Sequence, residues 1–255
     1  MTAAGRQPFR FRLRTLLLLM LVIGVALGWR VERARRQRKA VQFVQQVRGT
    51  YAYDFEYDEA GQRLVDTKPH GPIWLNDRLG VDFFNTVVQV SLSDEPVRDI
   101  SPLANLPGMR WLSLEGTQVD DLTPLAGMRQ LEALRLGAAP VSDLSPLSSL
   151  TNLKTLSLYE TRVEDLSPLA GLARLEGLEL QSAPVKDVTP LAQLRELKML
   201  ELHGAPVRDI EPLLGLPSLT YVGVYNTKVP LAAVRRLREA SPNCAVITHL
   251  PSSDN

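Results

Sequence analysis

Cysteine is nearly missing from this 255-residue sequence: Cys244 stands alone, so no intrachain disulfide can form and the redox compartment cannot be read from cysteine usage. It reads as a small apolar core residue. Histidine is almost as scarce, with His70, His203 and His249 far apart along the chain. No nucleophile motif and no glycine-rich phosphate loop accompanies them, so an enzyme is not expected, and no cofactor, metal or small-molecule substrate is implied. Net charge is small as well, +1 overall, but that figure hides an asymmetry. Residues 1–48 carry ten arginines and one lysine against one glutamate, which leaves the remaining 207 residues at −9. A basic head on an acidic body points to nucleic acid or to a membrane surface, and the apolar run inside the head selects the membrane over nucleic acid.

That run, TLLLLMLVIGVALGW over 15–29, holds no charge and lies between Arg10, Arg12, Arg14 and Arg30, Arg33, Arg35, Arg36. Its fifteen residues rise roughly 22 Å as a helix, short of the roughly 30 Å hydrocarbon core, so Arg14 and Arg30 would have to snorkel. A retained single-pass anchor is the expectation, because Trp29 and the arginine cluster suit a stop signal and not a mature amino terminus. A cleaved signal peptide, with small residues at Ala26 and Gly28, and a buried soluble helix are the alternatives. Arginine on both flanks leaves the side of the folded part undetermined.

The segment 30–86 reads as a juxtamembrane helix and a small α/β cap. Val41, Val44 and Val47 with Phe43 form an apolar stripe, and Gly49 ends the helix. TYAYDFEY alternates so that Tyr51, Tyr53, Phe55 and Tyr57 share one face of a strand. One or two short helices after the Pro69–Pro72 turn are expected to carry Trp74, Leu75, Leu79, Phe83 and Phe84 inward.

From 87 to 229 the chain repeats every 22 residues. Val97, Val119, Val141, Val163, Val185, Val207 and Val229 share a column; Asp99, Asp121, Asp143, Asp165, Asp187 and Asp209 form another; Pro102, Pro124, Pro146, Pro168, Pro190 and Pro212 a third. Two leucine columns, Leu112 to Val222 and Leu114 to Val224, extend back to Val90 and Leu92. An alternating L-x-L stretch buries one strand face, and Ser or Thr before Pro, as at Ser101, Thr123, Ser145, Ser167 and Thr189, reads as a helix N-cap; Glu211 breaks that rule. The stacked aspartates are expected to accept N–H bonds at their own turns, with calcium binding a minor alternative.

This L-x-x-L-x-L pattern followed by V-x-D-[LIV]-[ST]-P-L resembles the leucine-rich repeats of the internalin type. The resemblance implies an α/β fold: a right-handed leucine-rich-repeat solenoid with a parallel sheet on the concave face, preceded by an N-terminal transmembrane helix and a small α/β cap. Thr117, Ala139, Thr161, Ala183, Ala205 and Thr227 stand where such repeats usually place an asparagine that ladders the turn; the three alanines each precede proline. The whole chain, from its arginine-rich anchor through the YDFEY and WL segments to the PNC ending, is similar to bacterial single-pass leucine-rich-repeat proteins. A C-terminal cap is read over 230–250, with a helix carrying Leu231, Val234 and Leu237 inward, leaving Arg235, Arg236 and Arg238 in water, then a strand AVIT; 251–255 is expected to be disordered.

Residues beside the strand leucines face outward in columns. Ten are candidates for partner binding: Trp111, Arg135, Tyr159, Glu179, Gln181, Met199, Glu201, His203, Tyr221 and Tyr225. Their aromatic and polar mixture resembles a protein contact, so the expected function is a membrane-tethered scaffold for a protein or peptide partner, with a structural or adhesive role in the cell envelope as the alternative. A metal site at Glu179, Glu201 and His203 is a minor reading, thin for want of further ligands.

Overall fold

The computed structural model describes residues 13–57, 63–64 and 67–248, so all but the last two residues of the basic tail expected over 1–14, His249 and the expected disordered tail 251–255 lie outside the described residues. Among the described residues nine strands form one sheet in chain order: β1 (Thr50–Tyr53), β2 (Val87–Ser91), β3 (Trp111–Ser113), β4 (Ala133–Arg135), β5 (Thr155–Ser157), β6 (Gly177–Glu179), β7 (Met199–Glu201), β8 (Tyr221–Gly223) and β9 (Ala245–Ile247). From β2 to β9 every pair is parallel, and from β2 to β8 partners lie one repeat apart, Leu112 opposite Leu134 and Leu156 opposite Leu178. Strand β1 is antiparallel to β2 and stops at Tyr53, where a 3₁₀ turn over Asp54–Glu56 replaces the longer strand expected through Tyr57. Each return path carries a short 3₁₀ turn that begins at the residue before proline. The protein is a leucine-rich-repeat solenoid.

Strands β3 to β9 are three residues long, each centred on one inward residue, and the ladder continues past them to the second leucine of the L-x-L pair. The N–H groups of Leu92, Leu114, Leu136, Leu158, Leu180 and Leu202 donate to carbonyls of the next coil at 2.8–2.9 Å. Two residues farther on, Asp94, Gly116, Ala138, Glu160, Ser182, Gly204 and Asn226 all take a left-handed backbone, φ between 53° and 72°. That bend ends each strand, and only Gly116 and Gly204 adopt it without steric cost.

The aspartates act as expected: Asp99, Asp121, Asp143, Asp165, Asp187 and Asp209 each accept, at 2.8 Å, the N–H two residues on. Ser and Thr do not cap, contrary to the sequence expectation. They are the first residues of the turns, without a side-chain cap bond; Ser101 instead donates its hydroxyl to Asp99 at 2.6 Å. Aspartate makes the turn, so Glu211 conforms after all, its N–H held by Asp209.

The Thr/Ala column follows backbone chemistry. Thr117, Thr161 and Thr227 donate to the carbonyl three residues back at 2.7–2.8 Å, and the next residues, Gln118, Arg162 and Lys228, donate N–H to Val97, Val141 and Val207 of the preceding coil. In the other coils that next residue is proline, which has no N–H, and the column residue is a buried alanine. Hydroxyl and inter-coil bond occur together or not at all.

Both ends are closed. Helix α1 (Leu13–Gln46) is continuous through the expected anchor and juxtamembrane segments. It buries Ala34, Gln37, Ala40, Val41 and Val44 in one stripe on the first coil. Gln37 is fully engaged, donating to Asp82 (3.0 Å) and the Asn85 carbonyl (2.9 Å) and accepting from Val87 N–H (3.2 Å). Past the helix, the left-handed residue is Arg48; Gly49 is needed because a side chain there would strike Leu92 and the Ser91 carbonyl. Helix α2 (Ile73–Leu79) buries none of its residues, so Trp74 and Leu79, expected inside, are exposed, whereas Phe83 is buried. At the other end α3 (Leu231–Ala240) inserts Ala233, Val234 and Leu237 and leaves Leu231, expected inside, outside. Arg238, expected to be free in water, donates to the Val246 carbonyl at 2.8 Å, and Arg236 pairs with Glu211.

Leu158 has no exposed surface and sits in a middle coil. Leu158→Ala is expected to cost about 2–5 kcal/mol, read as a lowered thermal midpoint; an unchanged midpoint would contradict the shared core. Ala138→Gly should raise stability by up to about 1 kcal/mol by removing left-handed strain, measured by denaturant unfolding. The hydroxyl bonds first and the backbone bonds second hold the Asp99, Asp121, Asp143, Asp165 and Asp187 carboxyls below their ordinary 3.8. Their contribution is therefore full above the unfolded value and is lost as pH falls through the lower folded values. Thermal melts should show a midpoint dropping on acidification below pH 3.8, with a shallower acid slope for Asp143→Asn.

Candidate functional site

The outward face of the sheet is a set of columns, and neighbouring members touch because the coils stack strand on strand. At three places a glycine makes room for a larger neighbour. A side chain on Gly137 would occupy the space of the Tyr159 ring, one on Gly223 that of Glu201 and His203, and one on Gly177 would touch Met199. Glycine thus lets the larger neighbour lie flat on the sheet, held before any partner arrives. Trp111 is held differently: the Arg110 guanidinium lies 4.4 Å from its ring centroid and the Tyr57 ring 5.6 Å away.

The ten candidate residues divide into two groups. Trp111 and Arg135 line a recess of about 410 Å³ at the amino-terminal end, together with Tyr57, Gln89, Ser91, Ser93, Ser113 and Glu115. Its floor is a chain of hydroxyls, Ser91 to Ser93 at 3.1 Å and Ser93 to Ser113 at 2.7 Å, ending at Glu115, whose carboxylate is 3.8 Å from Arg135. Gln89, Ser91 and Ser93 stand one repeat before Trp111, Ser113 and Glu115, so extending the outward columns back with the leucines finds them. Tyr57 belongs to no column, and the alternation of TYAYDFEY marks it only as a packing residue of the cap.

The later coils hold the other eight. His203 accepts the Tyr225 N–H at Nδ1 (3.1 Å), and its Nε2 lies 2.5 Å from Glu201 Oε2. Both ring nitrogens are therefore occupied. Tyr225 meets the His203 ring edge to face at 6.1 Å. Burial first, then hydrogen bonding to Glu201, raises the Tyr221 pKa above its ordinary value; burial and the carboxylates of Glu115, Glu160, Asp94 and Glu179 do the same for Tyr159. Both hydroxyls stay protonated donors at neutral pH. Glu179 and Met199 border a smaller cleft of about 130 Å³ toward Arg135, where the Ser157 hydroxyl is buried without a partner. Gln181 likewise has a buried, unpartnered amide oxygen. Among the described residues no three His, Cys, Asp or Glu side chains converge to hold a metal.

Beside this face runs a column of alternating charge: Arg110, Glu132, Lys154, Glu176, Lys198. Arg110 to Glu132 is 2.6 Å, Lys154 to Glu132 2.8 Å and Lys198 to Glu176 2.5 Å. Burial acts upward on the Glu132 pKa, but the two cations outweigh it and hold the carboxyl low. Surface pairs of this kind, part-buried at the glutamates, contribute about 0–1 kcal/mol each, and their effect is on register, since a slip by one coil would stack like charges. The signal was legible at the same 22-residue period.

No family model matches the chain, and comparison with curated proteins finds no match. Among solved structures, an internalin C2 from Listeria monocytogenes is 38% identical with a TM-score of 0.51, covering 52% of this chain and 58% of that one. The internalin InlF from Listeria monocytogenes is 25% identical with a TM-score of 0.54, covering 59% of this chain and 51% of that one. The chain thus spans little more than half the length of these relatives, and what it shares with them is the leucine-rich-repeat solenoid.

Proposed function

We propose that this chain is a membrane-tethered protein-interaction module that binds a protein or peptide across the outward face of its sheet. The observation that carries the reading is the preorganisation of that face: Trp111 is braced by Arg110 and Tyr57, and Tyr159, Met199 and His203 lie over glycines of adjoining strands. Rings held in place lose little side-chain freedom on association, which is where a flexible surface loses affinity. The recess adds a concave anchor point with hydroxyl, carboxylate and guanidinium groups around an aromatic wall, the composition of a binding hot spot. Solved internalins share the repeat architecture, which supports a binding scaffold of this shape.

Tethering rests on α1. Its run from Leu16 to Trp29 is exposed, unlike a core helix of a soluble fold, and the helix that carries it is long and apolar enough to cross a bilayer. The same features suit a signal sequence, but the second half of α1 is built into the solenoid core, and that continuity favours retention.

The test uses two variants, Trp111→Ala with Arg135→Glu, and Glu179→Lys with Glu201→Lys and Tyr225→Ala, against an exposed control away from this face, Arg174→Ala. Affinity capture from membrane extracts should lose the same partner in at least one of the first two, by about tenfold or more for loss of an aromatic anchor, and keep it in the control. An identical captured set in all three would remove this face as the binding surface.

A further inference from the structure

Exposed apolar side chains are not scattered over this molecule. Beyond the run ending at Trp29, the large ones exposed among the described residues are Leu64, Ile73, Trp74, Leu79 and Leu231, and all but Leu231 belong to the amino-terminal cap. Ile73 and Trp74 are 73% and 63% exposed, beside a span in which Trp29 is 68% exposed.

Contacts fix where this patch lies along α1. Arg30, the first residue after the apolar run, donates to the Phe83 carbonyl at 3.0 Å, and its guanidinium is 5.6 Å from the Phe83 and Phe84 ring centroids. The Phe84 ring in turn packs on Gly71, just before α2. The far end of α2 meets α1 two turns on, where Arg38 donates to the Leu79 carbonyl at 2.8 Å. Helix α2 is therefore tied to α1 through side chains at both ends, with Ile73 and Trp74 at the end linked through Phe84 to Arg30. On another side of α1 a cleft of about 440 Å³ sets Trp29, Arg33 and Arg36 against Pro107 and Gly108 of the first coil. Several elements thus reach the level at which the apolar run ends.

We propose that the cap is a membrane-seating surface: Ile73 and Trp74 of α2, with Trp29 of α1, lie in the headgroup layer of the bilayer that α1 crosses. The proposal rests on reading α1 as a membrane span. Two constraints favour it. The uncharged run is short for a bilayer, and Arg30 is tied into the cap, so it cannot snorkel away; the cap itself must approach the headgroups. Tryptophan at that depth has its ring in a partly apolar layer and its N–H toward water, and the neighbouring exposed Arg36 is at the level of the phosphates. The solenoid then stands seated on lipid at a set orientation, not free on a stalk.

The full chain, reconstituted in phosphatidylcholine and phosphatidylglycerol vesicles with acyl chains brominated close to the glycerol, tests this through its three tryptophans. Double Trp→Phe variants leave Trp29, Trp74 or Trp111 as the single emitter, and far-UV circular dichroism verifies their folding. The expected result is quenching of Trp74 comparable to that of Trp29, with Trp111 unaffected. Trp29 quenched while Trp74 matches Trp111 would overturn the seating and leave the span standing. Loss of quenching at Trp29 as well would remove both, and equal quenching of all three would show unselective lipid contact and also overturn the proposal.

Discussion

No coil of this protein can hide its own leucines; each is dry only because another coil lies against it. Stacking is enforced by two coincident periods, the 22-residue repeat that returns L-x-L to the same place and the inter-strand spacing that lets Leu112, Leu134, Leu156, Leu178 and Leu200 lie side by side. Everything else answers to that contact. The aspartates hold each return turn so that proline can start it, the left-handed residues end each strand at one point, and the two ends need covers. At the amino end the cover is a helix stripe with Gln37 completing the first parallel strand; at the carboxyl end it is α3 with β9, tied by Arg238.

The same constraint organises the surface. Residues one repeat apart are neighbours, so whatever the sequence puts in a column must tolerate its own kind at strand spacing. Charge alternates along Arg110, Glu132, Lys154, Glu176 and Lys198, and size alternates where Tyr159 lies over Gly137. The aspartate column stacks six like charges, and each carboxylate is turned into its own loop by local N–H donors. A face built this way is rigid in its backbone and varied in its side chains, which is what a binding surface requires.

Helix α1 links that face to its surroundings. One unbroken helix carries both the exposed apolar run and the stripe that closes the core, so movement of one half is transmitted to the other without a hinge. The direction of the outward face is thereby coupled to the direction of the apolar run.

Contacts between residues at one constant separation were legible in the sequence: the leucine columns, the parallel sheet, the outward columns and the aspartate bonds all follow from a period that can be counted. Ser and Thr before proline were misread as caps, because local preference alone does not say which of two nearby oxygens reaches the N–H. The pairing of Thr117, Thr161 and Thr227 with an inter-coil bond needed the geometry of the preceding coil. Contacts between segments with no periodic relation were decided by tertiary structure alone. Tyr57 against Trp111, Arg30 on Phe83 and Phe84, and Trp74 turned outward depend on how the cap folds back on α1, where apolar residues have more than one surface on which to settle and no repeat chooses among them.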